Sequence, residues 1–227
     1  MVDLHAHLLP NVDDGSGCVE DSFLMLDDAV AQGVTDIVLT PHLNENYSPT
    51  VCQVKSAFNE FQQKVSDKGY KVNLYLGQEI YVGNGFEKVF SRKDFLTLNG
   101  TSFVLLEFDY VEEFDIAECV YQLKRRGFEP VVAHFERYSY ADFSVASEVK
   151  AVGGYIQVNA DSCLGGLFGS GKVKPLFENN LVDFVASDVH IFRKNKLKKA
   201  KEWITKKYGE ERANAVLKEN QMKIIKG

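Results

Sequence analysis

Residues 2–7 read VDLHAH and residues 183–190 read DFVASDVH. In each, a short apolar run ends in two ligand-type side chains placed two apart: His5 with His7, and Asp188 with His190. Successive side chains on a strand point to opposite faces, so each pair projects the same way. Five more apolar runs lie between them: DIVLTPH (36–42), VNLYLGQE (72–79), FVLLEF (103–108), PVVAHF (130–135) and YIQVNA (155–160). Their continuous apolar character suits strands buried on both faces of a parallel sheet. Helical patterns fill the gaps. Val51, Val54, Phe58, Phe61 and Val65 share one face of a helix expected over about 49–68, with Ser48 as N-cap, Pro49 at the first position and Gly69 as the stop. Others are expected over about 19–32 and 113–126, ended by Gly33 and Gly127. Strands alternating with helices predict an α/β protein, a seven-stranded parallel barrel rather than an open sheet.

A barrel gives the strand ends meaning, because its active sites are built at the carboxyl ends of the strands. The first run supplies His5 and His7, and the loop after it Asp14. The next four supply His42, Glu79, Glu107 and His134; the sixth supplies only Asn159; the seventh supplies Asp188 and His190. In a closed barrel the first and last strands are neighbours, so their ligand pairs converge. The chain has five histidines, and all of them belong to this set. Any one alone reads as an ordinary core or surface histidine; all five at strand ends, beside carboxylates, predict a metal site. Such a ligand set exceeds the needs of one ion and suits about two or three. Imidazole and carboxylate without thiolate favour Mn²⁺, with Fe²⁺ or Zn²⁺ as alternatives. About three divalent ions would outweigh the four carboxylates and leave a cationic pocket suited to a phosphate dianion. Arg137 and Arg193 each follow a candidate ligand by three residues and are placed to hold phosphate oxygens; His42 is counted with them as a candidate for the catalytic set.

Composition sets the frame. The chain has 227 residues, 45% apolar and 26% charged, and a net charge of −6. It is read as a single domain over 1–227, with no basic field for nucleic acid. No secretory signal or membrane-spanning run is evident, and the four cysteines are scattered without a CxxC pair, so a cytoplasmic protein with reduced thiols is expected. The basic stretch 193–207 reads as the solvated face of a packed helix, with attraction to an anionic membrane surface as the second reading.

Two motifs look functional and are set aside. Cys119 and Arg125 have the C-x5-R spacing of cysteine-dependent phosphatases, but no glycine lies between them to build a phosphate loop. Gly166 to Lys172 fits G-x4-G-K, but Val173 stands where Mg²⁺ needs a hydroxyl.

Taken in order, DLHAHLLPNVDDGSG (3–17), TPH (40–42), GQEI (77–80), LLEF (105–108), AHFERY (133–138), QVNADSCLGGLFG (157–169) and ASDVH (186–190) resemble the polymerase-and-histidinol-phosphatase (PHP) superfamily. Within it they are most similar to the manganese-dependent tyrosine phosphatases of bacterial capsular and exopolysaccharide operons. The resemblance implies a distorted seven-stranded barrel and a trinuclear site. His5, His7, Glu79 and Asp188 would hold one ion. Glu79 would bridge to a second, shared with Glu107 and His134. Asp14, His42 and His190 would hold the third. It further implies Arg137 as a phosphate-binding arginine and, as substrate, the phosphotyrosine tail of a cognate bacterial tyrosine kinase. The alternative is a small-molecule phosphomonoester such as histidinol phosphate. One segment departs from the pattern: the family has SDAHN with an arginine about five residues after the histidine, whereas this chain reads SDVHIFRKNK, with Arg193 at plus three.

Overall fold

A computed structural model describes residues 1–83, 89–91, 94–165 and 170–226. Among the described residues, nine short parallel strands carry the seven predicted runs: β1 (Val2–Ala6), β2 (Asp36–Leu39), β3 (His42–Leu43), β4 (Asn73–Leu76), β5 (Glu79–Tyr81), β6 (Phe103–Glu107), β7 (Glu129–Val132), β8 (Tyr155–Asn159) and β9 (Phe184–Ala186). The second and third runs are each broken in two, at Thr40–Pro41 and at Gly77–Gln78. Proline has no N–H to give a ladder, so a break at Pro41 is expected. The strands pair in the orders β1-β2-β4 and β3-β5-β6-β7-β8-β9. The last run returns to the first through a parallel bridge between Ala6 and Val189. The Asp188 N–H donates to the His5 carbonyl at 2.9 Å, and the His7 N–H to the Val189 carbonyl at 3.1 Å. The two ends of the chain's strand series therefore lie side by side.

The helices are α1 (Val19–Ala31), α2 (Val51–Asp67), α3 (Ile116–Arg125), α4 (Phe143–Ala151), α5 (Ser170–Glu178), α6 (Leu197–Tyr208), α7 (Glu210–Asn214) and α8 (Asn220–Lys226), with a π turn over Ala215–Glu219 between the last two. Helix α2 starts later than the sequence suggests. Its N-cap is Thr50, not Ser48, because Thr50 and Gln53 form a reciprocal capping box. No helix among the described residues is long and apolar enough to cross a membrane.

Two apolar clusters fill the structure. The larger lies between strands and helices. The smaller joins Val2 and Leu4 of β1, Leu105 of β6, Val131 of β7 and Phe184 and Ala186 of β9, with Ile224 and Ile225 of α8. Side chains from such separated strands meet only inside the ring, at the end opposite the ligand residues. Three side-chain hydrogen bonds fasten α8 there: Gln221 Nε2 to the Val185 carbonyl at 2.7 Å, Asn220 Nδ2 to the Asp183 carbonyl at 3.0 Å, and Asn99 Nδ2 to the Ile225 carbonyl at 2.8 Å.

The set-aside motifs sit as their local sequence suggests. Cys119 is buried in helix α3. Residues 166–169 lie outside the described set, and Lys172 donates from Nζ to the carbonyls of Tyr138, Ser139 and Ala141. On α6, Leu197, Ala200 and Ile204 are buried, so the apolar strip of the basic stretch faces the core.

Candidate metal centre

Position on the strands explains how the first pair arrives. Val2 and Leu4 face the inner cluster, yet His5 and His7, of the other parity, reach the same interior. The register between β1 and β2 shifts between Asp3 and Ala6, and such a bulge re-aims the side chains beyond it. Two more of the site residues leave their strands through left-handed backbone: His134 at φ +29° and Asp188 at φ +50°. Non-glycine residues pay for that conformation, and it persists where packing overdetermines it. Gly15 is required by space. A Cβ there would stand 2.2 Å from the His7 carbonyl oxygen, so only glycine lets the Asp13–Asp14 loop close over His7.

All nine residues expected as ligands converge. Ligand atoms of His5, His7 and Asp188 lie together, as do those of His5, Glu79 and His134, of His42, Glu79 and Glu107, and of His7, Asp14, His42 and His190. Glu79 is central. Its Oε2 is 3.2 Å from His5 Nε2, 3.3 Å from His7 Nε2 and 3.0 Å from His42 Nδ1, and its Oε1 is 2.8 Å from His134 Nε2. Asp188 Oδ1 stands 3.5 Å from His5 Nε2, and Asp14 Oδ1 stands 3.5 Å from both His42 Nε2 and His190 Nε2. Most of this set is buried; Asp14 is the exposed member, its side chain 43% accessible.

The hydrogen-bond network tests whether the site suits cations. Gln157 Nε2 donates to Asn159 Oδ1 at 2.8 Å, and its Oε1 accepts the His134 N–H at 2.8 Å. With the amide so oriented, His5 Nδ1, 3.2 Å from the same Oε1, must be the donor. Its Nε2 then carries a lone pair. His7 Nδ1 donates to Asp13 Oδ2 at 2.6 Å, which leaves its Nε2 likewise bare. His190 Nδ1 donates to the Asp188 carbonyl at 3.0 Å, which does the same for its Nε2. The lone pairs of His5 and His7 face each other at 3.1 Å, with the Glu79 and Asp188 carboxylates beside them. Glu79 Oε2 and His42 Nδ1 are buried without a hydrogen-bond partner despite their short separation. Lone pairs and carboxylates crowded away from water repel one another unless positive charge lies between them. Protons can supply it, and so can metal ions; the donor set fits divalent cations.

The acid–base behaviour agrees. Burial works against charging His5 and His7, but Glu79 and Asp188 on His5, and Asp13 and Glu79 on His7, raise both above the ordinary imidazole value. Burial, reinforced by the Glu79 charge, pushes Glu107 up to about 7. Burial also takes His134 down to about 4, so it stays neutral at pH 7.

Both candidate arginines reach the centre. Arg137 Nη1 lies 3.0 Å from Asp188 Oδ2, and Arg193 Nη1 contacts the same oxygen and donates to the Asp188 carbonyl at 3.0 Å. The plus-three spacing of Arg193 therefore still brings it to the site. Three supporting residues escaped sequence reasoning: Asp13, Gln157 and Tyr110, whose hydroxyl donates to Glu107 Oε1 at 2.6 Å. Asp13 holds His7 and also accepts the His42 N–H at 3.0 Å; burial would raise it, but His7 outweighs this and holds it at about 2. Gln157 orients His5. The DDG text contained the first, but nothing in a single sequence says which aspartate joins the other ligand-type side chains and which holds the imidazole.

The sequence matches the family model described as capsular polysaccharide synthesis, CpsB/CapC, over residues 1–226. The chain belongs to the CpsB/CapC family. Tyrosine-protein phosphatase YwqE of Bacillus subtilis is 34% identical, across 84% of this chain and 77% of its own length. Tyrosine-protein phosphatase CpsB of Streptococcus agalactiae is 30% identical, across 100% of this chain and 98% of its own length. Among solved structures, one of a set of YwqE from Bacillus subtilis and CpsB from Streptococcus pneumoniae, described as metal-dependent tyrosine phosphatases, superposes with a TM-score of 0.84 at 31% identity, covering 94% of this chain and 90% of that one. A histidinol phosphate phosphatase from Lactococcus lactis shares the fold at a TM-score of 0.61 and 13% identity, covering 95% and 94%.

Proposed function

We propose that this chain is a metal-dependent protein-tyrosine-phosphatase of capsular or exopolysaccharide synthesis, acting in the cytoplasm on the phosphotyrosine tail of a bacterial tyrosine kinase. The observation that carries the reading is the convergence of nine imidazole and carboxylate ligands, several with fixed lone pairs, beside two arginines. Family membership supports the substrate class.

We assign His5, His7, Glu79 and Asp188 to one cation, Glu79, Glu107 and His134 to a second, and Asp14, His42 and His190 to a third. Mn²⁺ is the proposed metal, because the donors are nitrogen and oxygen. When bound, such ions would supply an activated water and positive charge for displacement at phosphorus. The protein does the rest. Asp13 and Gln157 fix which nitrogen of His7 and His5 faces the ions. Arg137 and Arg193 hold the phosphate oxygens; each guanidinium has donors beyond those given to Asp188, and stabilises charge as the P–O bond breaks. Tyrosine, with a pKa of about 10, leaves more readily than an alkyl alcohol, so the demand on a general acid is small.

Turnover of a phosphotyrosine peptide and of histidinol phosphate, measured with Mn²⁺ and after chelation, tests this. Metal-dependent turnover of the peptide in preference to histidinol phosphate is expected. Metal-independent turnover, or preference for histidinol phosphate, defeats it.

A further inference from the structure

The segment that departs from the family pattern forms a tight turn. Arg193 N–H donates to the His190 carbonyl at 2.8 Å, so Ile191 and Phe192 are its two tip residues. Exposed turn tips favour Gly, Asn, Asp, Ser and Pro. Here both tip residues are large and apolar, and both face solvent: Ile191 is 44% and Phe192 69% exposed. Isolated exposed apolar residues are ordinary; an adjacent pair on a turn is not.

This turn is fixed to the metal centre at every point. His190 and Arg193, its two ends, both bond to the Asp188 carbonyl. The Ile191 N–H donates to the Gly15 carbonyl at 2.9 Å, which ties the tip to the loop carrying Asp13 and Asp14. The Phe192 ring lies 5.2 Å from the His190 ring, with the Arg193 guanidinium 6.0 Å from its centroid. A phosphoryl group held by Arg193 would therefore have the apolar Phe192 ring beside the guanidinium that binds it.

We propose that Phe192, backed by Ile191, is a specificity residue that packs against the aromatic ring of the substrate and selects aryl over alkyl phosphomonoesters. The proposal rests on the phosphatase reading and names the part of the substrate this chain's own turn recognises. An aromatic pair in offset or edge contact adds to plain area burial, and a methyl group in the same place offers no such contact.

The test compares phenylphosphonate with methylphosphonate, which differ only in the ring. Their dissociation constants are measured by calorimetry on the Mn²⁺-loaded protein, for wild type, Phe192→Ala and Phe192→Tyr, with metal content and melting temperature read on the same samples. Wild type should prefer the phenyl compound. Phe192→Ala should reduce that preference about tenfold, and Phe192→Tyr should keep it. An unchanged preference in Phe192→Ala, or equal weakening of both compounds, overturns the proposal and leaves the phosphatase reading standing. If wild type binds neither phosphonate and turns over no phosphotyrosine peptide, it is the phosphatase reading that falls.

Discussion

The two ends of the strand ring obey opposite rules. At the amino end, Val2, Leu4, Leu105, Val131 and Phe184 pack with Ile224 and Ile225 in a dry plug. At the carboxyl end, a few residues further along the same strands, buried histidines and carboxylates face one another at 2.8 to 3.5 Å, and His134 and Asp188 sit in left-handed backbone. The first end is cohesive by itself, because burial of apolar area needs no partner of opposite sign. The second is cohesive only with positive charge in its midst. The difference teaches that stability and function are divided along the barrel axis: the plug supports a mouth that would be unfavourable alone.

That division can be broken from the mouth first. Glu79→Gln removes the carboxylate that touches four imidazoles. It should lower phosphotyrosine turnover by about a thousandfold or more with a metal deficit, since the bridging charge is lost; a fully active, fully loaded variant would contradict the assignment. Arg137→Ala should lower kcat by about a hundred- to a thousandfold at unchanged metal content, as loss of one preorganised donor does elsewhere. Asp13→Asn leaves the shape but weakens the hold on the His7 tautomer. Metal affinity should fall about ten- to a hundredfold, measured by titration against a chelating indicator. At the far end, Ile224→Ala should cost about 2–5 kcal/mol of stability in denaturant unfolding, with metal affinity little changed.

Acidity sharpens the comparison further. In chelated protein Glu107 is raised to about 7, and His5, His7 and His42 are raised as well. A group whose pKa is higher folded than unfolded favours the fold while protonated. That contribution is complete below the unfolded value and disappears as pH rises through the folded one. Melting temperature of the chelated protein should therefore fall between about pH 5 and 8, and Glu107→Gln should flatten the slope. Metal replaces the protons, so affinity should rise over the same range.

Much of this was legible beforehand, for a physical reason. Charged groups in apolar strands are costly, so they are rare, and His5, His7, Glu79, Glu107 and Asp188 stood out from the runs around them. Period and length located the strands and helices, and Thr50 displaced Ser48 as a cap only because Gln53 sat in reach to answer it. Asp13 and Gln157 did not stand out, since aspartate in a loop or glutamine in a strand has no special meaning until a particular imidazole is 2.6 Å or 3.2 Å away.

What the sequence determined by itself is the inventory: which side chains can bind a cation, and that they end successive strands. Only the tertiary structure decided the pairing. The return of the last strand to the first set Asp188 beside His5 and His7. A two-residue turn carried Arg193 back to Asp188 despite its altered spacing. Ligand chemistry belongs to single residues, whereas orientation and proximity arise from contacts between residues far apart in the chain.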